Sequence, residues 1–269
     1  MQSEAQHALG ADIRLLGDLL GRTIRRLAGE DAFRLEEEVR TAAKELRANP
    51  SPDAARRLRD RLATLDVPAL RGLIRAFSVY FDLINLAEQQ ARVRALRKRA
   101  GTKADGPTAE TPEAALKHLR DRGVGAAEVA AHLGRSAVIP VFTAHPSEAR
   151  RRTILEKLAA VAGQLDRIEY TKLSVHEQAA AVGEIAEEVE ALWLSDTARA
   201  TRPSVLDEVR QVLGVVEGRL FDVVPRVYRE VEDALARTYP TVARDVPAFL
   251  RFGSWIGGDR DGHPNVTAA

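Results

Sequence analysis

Apolar residues recur at steps of three and four along most of these 269 residues, and that spacing commits the chain to helices. Ile13, Leu16, Leu20, Ile24 and Leu27 put one apolar face on a helix from Ala11 to Ala28. A more charged helix, Ala32 to Ala48, has Phe33, Val39 and Leu46 as anchors. Asn49-Pro50-Ser51-Pro52 breaks the pattern, and Pro52-Asp53 starts the next helix. From Pro68 a long helix runs to Arg99 with Leu70, Leu73, Ile74, Phe77, Phe81 and Ile84 as its stripe. At about 1.5 Å per residue it spans roughly 45 Å, and its basic end, Arg92 to Arg99, is either a solvated face or a partner-contacting one. Shorter helices follow over Pro112 to Arg122 and Ala126 to Leu133. Three more are expected over Ala149 to Glu169, His176 to Arg199 and Val205 to Thr238, the last kinked by Pro225.

Only two stretches break this period. Ala137 to Phe142 is apolar and β-branched at Val138, Ile139 and Val141, which reads as a buried strand. Phe249 to Trp255 alternates weakly and reads as a second one. The fold class expected is therefore predominantly helical with two short strands (about 137–142 and 249–255). Two strands do not make a sheet that stands alone. The division expected is an N-terminal helical region over 1–100, a Gly/Pro-rich linker or mobile loop over 101–111, and a third region over 112–269.

Bulk properties narrow the function. Forty Lys and Arg against 39 Asp and Glu give no net field to gather nucleic acid or an anionic membrane. The absence of cysteine removes disulfides, thiolate metal sites and thiol nucleophiles. No run approaches the length of a membrane span, and the N-terminus has no signal-peptide pattern. A soluble, cytoplasmic protein is the expectation.

Two loops carry the chemistry. The strand ending at Phe142 runs through Thr143-Ala144-His145-Pro146-Ser147 into a helix opened by Arg150, Arg151 and Arg152. A strand-end imidazole before a helix start sits where α/β folds hold catalytic groups, and the helix start attracts anions. The arginine field favours a neutral imidazole, so His145 is a candidate proton acceptor. A packed histidine beside a solvated arginine face would give the same pattern. In the second loop, Gly257-Gly258 permits close backbone approach, and Arg260 between Asp259 and Asp261 can be held for an anion. Trp255 could wall off water. The bland alternative is a Gly-Asp turn with a surface arginine, and the Asp-x-Asp-Gly piece lacks the rest of a calcium loop.

Together the loops resemble the phosphoenolpyruvate carboxylase family. Phe142-Thr143-Ala144-His145-Pro146-Ser147-Glu148 is similar to its histidine signature, and Phe252-Gly253-Ser254-Trp255-Ile256-Gly257-Gly258-Asp259-Arg260-Asp261-Gly262 to its second one. Asp12-Ile13-Arg14-Leu15-Leu16-Gly17, Asn85-Leu86-Ala87-Glu88-Gln89 and Thr201-Arg202-Pro203-Ser204-Val205-Leu206-Asp207-Glu208 support the match in the family's order. Ser147 stands where threonine is common, and His263 where asparagine is usual.

The resemblance implies a (β/α)8 barrel with many extra helices, of which 112–269 is the start, and a homotetramer. It implies Mg²⁺-dependent reaction of phosphoenolpyruvate with bicarbonate to give oxaloacetate and phosphate. By motif position His145 is the base that deprotonates carboxyphosphate. The resemblance carries Arg260 over as an anion holder and Trp255 as part of the wall of the CO₂ cavity, while Arg150, Arg151, Arg152, Gly257, Gly258 and Asp259 join the candidate substrate- and anion-binding set on the residues alone. Family members are several times longer. Their downstream lysine segment, metal-holding carboxylates and glycine-arginine loop have no counterpart here, so no metal ligand is expected in this chain. The expectation is an N-terminal portion that is inactive alone. The alternative is a non-catalytic helical scaffold derived from the same fold. Apolar stripes such as Leu70 to Ile84 are expected to be exposed and to harm solubility if the rest of the enzyme is absent.

Overall fold

The computed structural model describes residues 2–101, 111–143, 151–195, 204–242 and 246–256. The Gly/Pro-rich segment is outside them except at its ends, Gly101 and Thr111. Ten α-helices and two short strands are present among the described residues. The chain divides into two compact units, residues 1–97 with 150–199 and residues 98–149 with 200–269.

In the first unit, α1 (Gln2–Ala28) and α2 (Glu30–Ala48) are joined at Gly29, whose φ of 92° is a left-handed value that favours glycine. α3 (Pro52–Ala63) begins where the sequence placed it, with the Ser51 hydroxyl accepting from the Ala54 amide at 3.4 Å. α4 (Val67–Gly101) is the long helix, 35 residues and thus about 52 Å. α7 (Arg152–Tyr170) and α8 (Val175–Leu194) pack together, and a capping box formed by Ser174 and Glu177 starts α8. Leu16, Leu20 and Ile24 of α1 share a core with Ile154, Leu158 and Val161 of α7 and with Ile185, Val189 and Leu192 of α8.

The apolar stripe expected on α4 is not the helix's core face. Of its six residues only Leu73 is buried, whereas Ile74 and Phe81 are 66% and 56% exposed. The core face is instead Ala76, Val79, Leu83, Leu86 and Ala87, with Leu73 also buried. Helical spacing fits both faces, and the inward one carries Ala76 and Ala87 where the outward one carries Phe77 and Phe81. At the basic end of α4 Arg92, Arg97 and Lys98 are exposed, and of the described basic residues there Arg94 alone is shielded. Arg94 Nη2 lies 2.5 Å from Asp12 Oδ2 with both side chains mostly buried, and Arg97 stacks 4.4 Å from the Tyr170 ring centre.

A cleft of about 560 Å³ runs between α1 and α2, lined by Arg14, Arg22, Arg25, Glu36, Glu37, Arg40 and Tyr80 among others. Glu36 is only 6% exposed. Burial, then the neighbouring Glu37 charge, pushes its carboxyl up to about 7 from the ordinary 4.5, against a partial pull from Arg40. A folded-state value above the unfolded one favours the fold fully below the unfolded value, and the advantage is lost as pH rises through the folded one. Stability of this unit should therefore fall between about pH 4.5 and 7, by roughly 3 kcal/mol at most and by less because the cleft admits water. Glu36→Gln should flatten that slope in urea titrations followed by circular dichroism. An unchanged slope would assign the pH dependence elsewhere.

In the second unit, α5 (Pro112–Asp121) and α6 (Ala126–Arg135) lead to β1 (Val141–Phe142). α9 (Val205–Val215) starts at a Ser204–Asp207 capping box and continues through a π-helical turn, Val216–Leu220, into α10 (Phe221–Thr238). Pro225, where a kink is expected, lies inside the continuous helix α10, and the π turn ends five residues upstream of it. Proline has no N–H for the ladder, and Gly214 and Gly218 lower helix propensity there. Leu116, Val129, Ala234, Leu235, Tyr239 and Val246 make the local core. Arg237 forks onto Glu113 at 2.7 and 2.9 Å, and the Tyr239 hydroxyl donates to the Val124 carbonyl at 3.1 Å.

Candidate functional site

β1 pairs in parallel with β2 (Gly253–Ser254), Val141 opposite Gly253 and Phe142 opposite Ser254. The pairing extends further than these short strands. Val138 donates to the Phe249 carbonyl at 2.7 Å and accepts from Arg251 at 3.0 Å, and Trp255 donates to the Phe142 carbonyl at 3.0 Å. Between them the Pro140 carbonyl accepts from Gly253, but proline has no N–H to return to Arg251. That missing donor explains why the regular strands are shorter than the expected 137–142 and 249–255. Gly253 suits the close approach, because a Cβ there would stand 3.3 Å from Val141 Cγ2 and that side chain would have to shift slightly. Phe142 and Phe252 stack across the pair at 5.9 Å.

The strand expected to be buried is not. Val138, Ile139 and Val141 are 51%, 55% and 44% exposed, because two paired strands alone leave their faces uncovered.

What aligns β2 is a residue that no sequence pattern singles out. The Tyr228 hydroxyl on α10 accepts from both the Phe249 and Leu250 amides at 3.0 Å, with its ring 4.8 Å from that of Phe249. One phenol oxygen thereby fixes the entry of the chain into β2. A tyrosine on an amphipathic helix carries no sequence mark of such a role.

Parallel pairing has a direct consequence. Both strands end at the same edge, with Thr143 following one and Trp255 the other. Trp255 is 57% exposed among the described residues. Arg152 lies on the first unit, where its Nε pairs with Glu156 Oε1 at 2.7 Å on an exposed surface. Arg151 precedes α7 at its N-cap position, so that helix starts three residues later than expected. His145, Arg150, Gly257, Gly258, Asp259 and Arg260 are outside the described residues.

Among the described residues no group of three or more His, Asp or Glu could hold a metal ion, and no helix is long and apolar enough to cross a membrane. The residues described thus do not fit a Mg²⁺ site.

Residues 9–269 match the family model for phosphoenolpyruvate carboxylase. The chain belongs to the phosphoenolpyruvate carboxylase family. It is similar to the phosphoenolpyruvate carboxylase of Roseiflexus castenholzii, 47% identical over 261 residues, covering 96% of this chain and 28% of that protein. It is 40% identical over 260 residues to the one from Thermus thermophilus, covering 96% of this chain and 29% of that protein. With the one from Bradyrhizobium diazoefficiens it shares 37% over 267 residues, covering 98% and 28%. The chain therefore spans under a third of the length of these relatives.

The supporting family motifs have clear structural work here. Asp12 of the first pairs with Arg94 while Leu16 fills the core, and Leu86 and Ala87 of the second are buried in the same core. In the third, Ser204 and Asp207 cap α9 and Glu208 is buried. These carboxylase motifs set packing and helix starts.

Proposed function

We propose that this chain supplies the histidine loop and the tryptophan–glycine loop of a phosphoenolpyruvate carboxylase. The reaction joins phosphoenolpyruvate and bicarbonate into oxaloacetate and phosphate. Bicarbonate attacks the phosphorus, giving carboxyphosphate and the enolate of pyruvate. His145 takes the carboxyphosphate proton, the bond from carbon to the phosphate oxygen breaks, and the released CO₂ is attacked by the enolate. Arg150, Arg151, Arg152 and Arg260 hold anions, Gly257 and Gly258 let backbone approach them, and Asp259 orients Arg260. Trp255 borders the CO₂ cavity.

Residues 112–269 form the start of a (β/α)8 barrel in this proposal, after an N-terminal helical region over 1–100 and a linker over 101–111. The remaining strands and the Mg²⁺ ligands belong to further polypeptide, and the whole works in the cytoplasm as a homotetramer. The 1–269 chain alone is inactive.

The parallel ribbon carries this proposal. Phe142 and Ser254 end side by side, three residues before His145 and six before Arg260 in sequence. Family membership and the names of the relatives support it. The test grafts residues 9–269 in place of the matching segment of the Roseiflexus castenholzii relative. The chimera should form oxaloacetate at a rate on the order of the parent's, whereas purified 1–269 should form none. A folded but inactive chimera, or an active 1–269, would overturn the corresponding half.

A further inference from the structure

The outward face of α4 is a heptad seam. Val67, Leu70, Ile74, Phe77, Phe81 and Ile84 follow one another at steps of three and four, the a and d spacing of paired helices. Val67, Ile74 and Phe81 are 68%, 66% and 56% exposed, although the opposite face of the same helix lies in the core. The aromatic side chains are already arranged, with Phe77 and Phe81 at 6.1 Å and Tyr80 edge-on to Phe81 at 5.8 Å. A surface helix with a single job needs one apolar face. This one has two.

We propose that this seam is the docking surface for an α-helix supplied by the part of the family polypeptide that this chain does not span. That part exceeds two thirds of the relatives' length, since the match covers 28–29% of them. The three-four spacing calls for a helical partner with its own apolar a and d residues, because a strand or loop cannot put knobs into those holes. A second copy of α4 is the weaker occupant. A strip about 27 Å long and 10 Å wide buries on the order of 600 Å² between two copies, well under the roughly 1,200–2,000 Å² of a stable interface. A helix within the same polypeptide needs no such area, because the chain already holds it nearby. The proposal rests on family membership and not on the carboxylation chemistry, so an inactive but folded chimera leaves it standing.

The chain has no cysteine, which makes the test clean. Ile74→Cys and, separately, Phe81→Cys are placed in 1–269 and in the chimera, and maleimide labelling of the α4 peptide is followed by mass spectrometry. Both thiols should react freely in 1–269 and at least about tenfold more slowly in the chimera at nanomolar concentration. A maleimide–benzophenone attached to the thiol of the Ile74→Cys variant should crosslink in the chimera to a peptide beyond the graft that carries apolar three-four spacing. Equal labelling in both proteins, concentration-dependent protection of 1–269, or crosslinks to a second copy or to a non-helical peptide would each overturn the proposal. Should a cysteine variant misfold in the chimera, Ile74→Glu supplies a second readout. It should leave the melting temperature of 1–269 unchanged and lower that of the chimera, and no difference between the two counts against the seam.

Discussion

Replacing His145 by asparagine in the chimera should lower oxaloacetate formation by roughly 10²–10⁴-fold, the range expected when a positioned acid–base group is lost. Asparagine fills similar space and can hydrogen-bond, but it cannot accept a proton at neutral pH. In the proposed mechanism bicarbonate attack on phosphorus precedes that proton transfer, so some bicarbonate-dependent phosphate release should survive. Coupled assays for oxaloacetate and for inorganic phosphate, run on the same preparation, separate the two steps. Parallel loss of both products would point to a binding or folding role for His145, and unchanged oxaloacetate formation would remove it from the mechanism.

The second large effect concerns stability. Asp12→Ala should destabilise the first unit by about 3 kcal/mol, because it strands the Arg94 guanidinium among packed helices. The Arg94 and Asp12 side chains are only 13% and 16% exposed, and Glu169 is a poor substitute partner at 3.9 Å. Arg94→Met in the same background should recover much of the loss, since an apolar stem of similar length needs no counter-charge. Urea unfolding of the two single variants and the double variant gives the coupling directly. Additive losses in the double variant would mean that the pair contributes nothing of its own.

Helices are legible because their signals are local. Ser51 with Pro52 starts α3 where the pattern places it, and the break after Ala48 is where the prolines put it. The inward face of α4 is not legible, because apolar spacing cannot say which of two apolar faces meets the core. That choice depends on how closely neighbouring helices approach, hence on small residues such as Ala76 and Ala87. The two strands show in their β-branching, but their burial does not, because exposure is set by what lies beyond the sheet. The ladder break at Pro140 is foreseeable, since a proline inside a paired strand always lacks one donor. The Tyr228 anchor is not, because it joins residues 21 and 22 positions apart through a side chain of no special pattern. For the loops, motif order points to the family, while the described residues reach only Thr143, Arg151, Arg152, Trp255 and Ile256 around them.

The pairing of Val141 with Gly253 bridges about 110 positions of chain. At 5–20 residues per second, a ribosome leaves the first strand without its mate for roughly 6–20 s. During that wait Val138, Ile139 and Val141 are a sticky nascent segment, and Pro140 in their midst withholds one amide from any stray strand that tries to align. The same imino acid that shortens the finished ladder thus guards the growing polypeptide against premature aggregation.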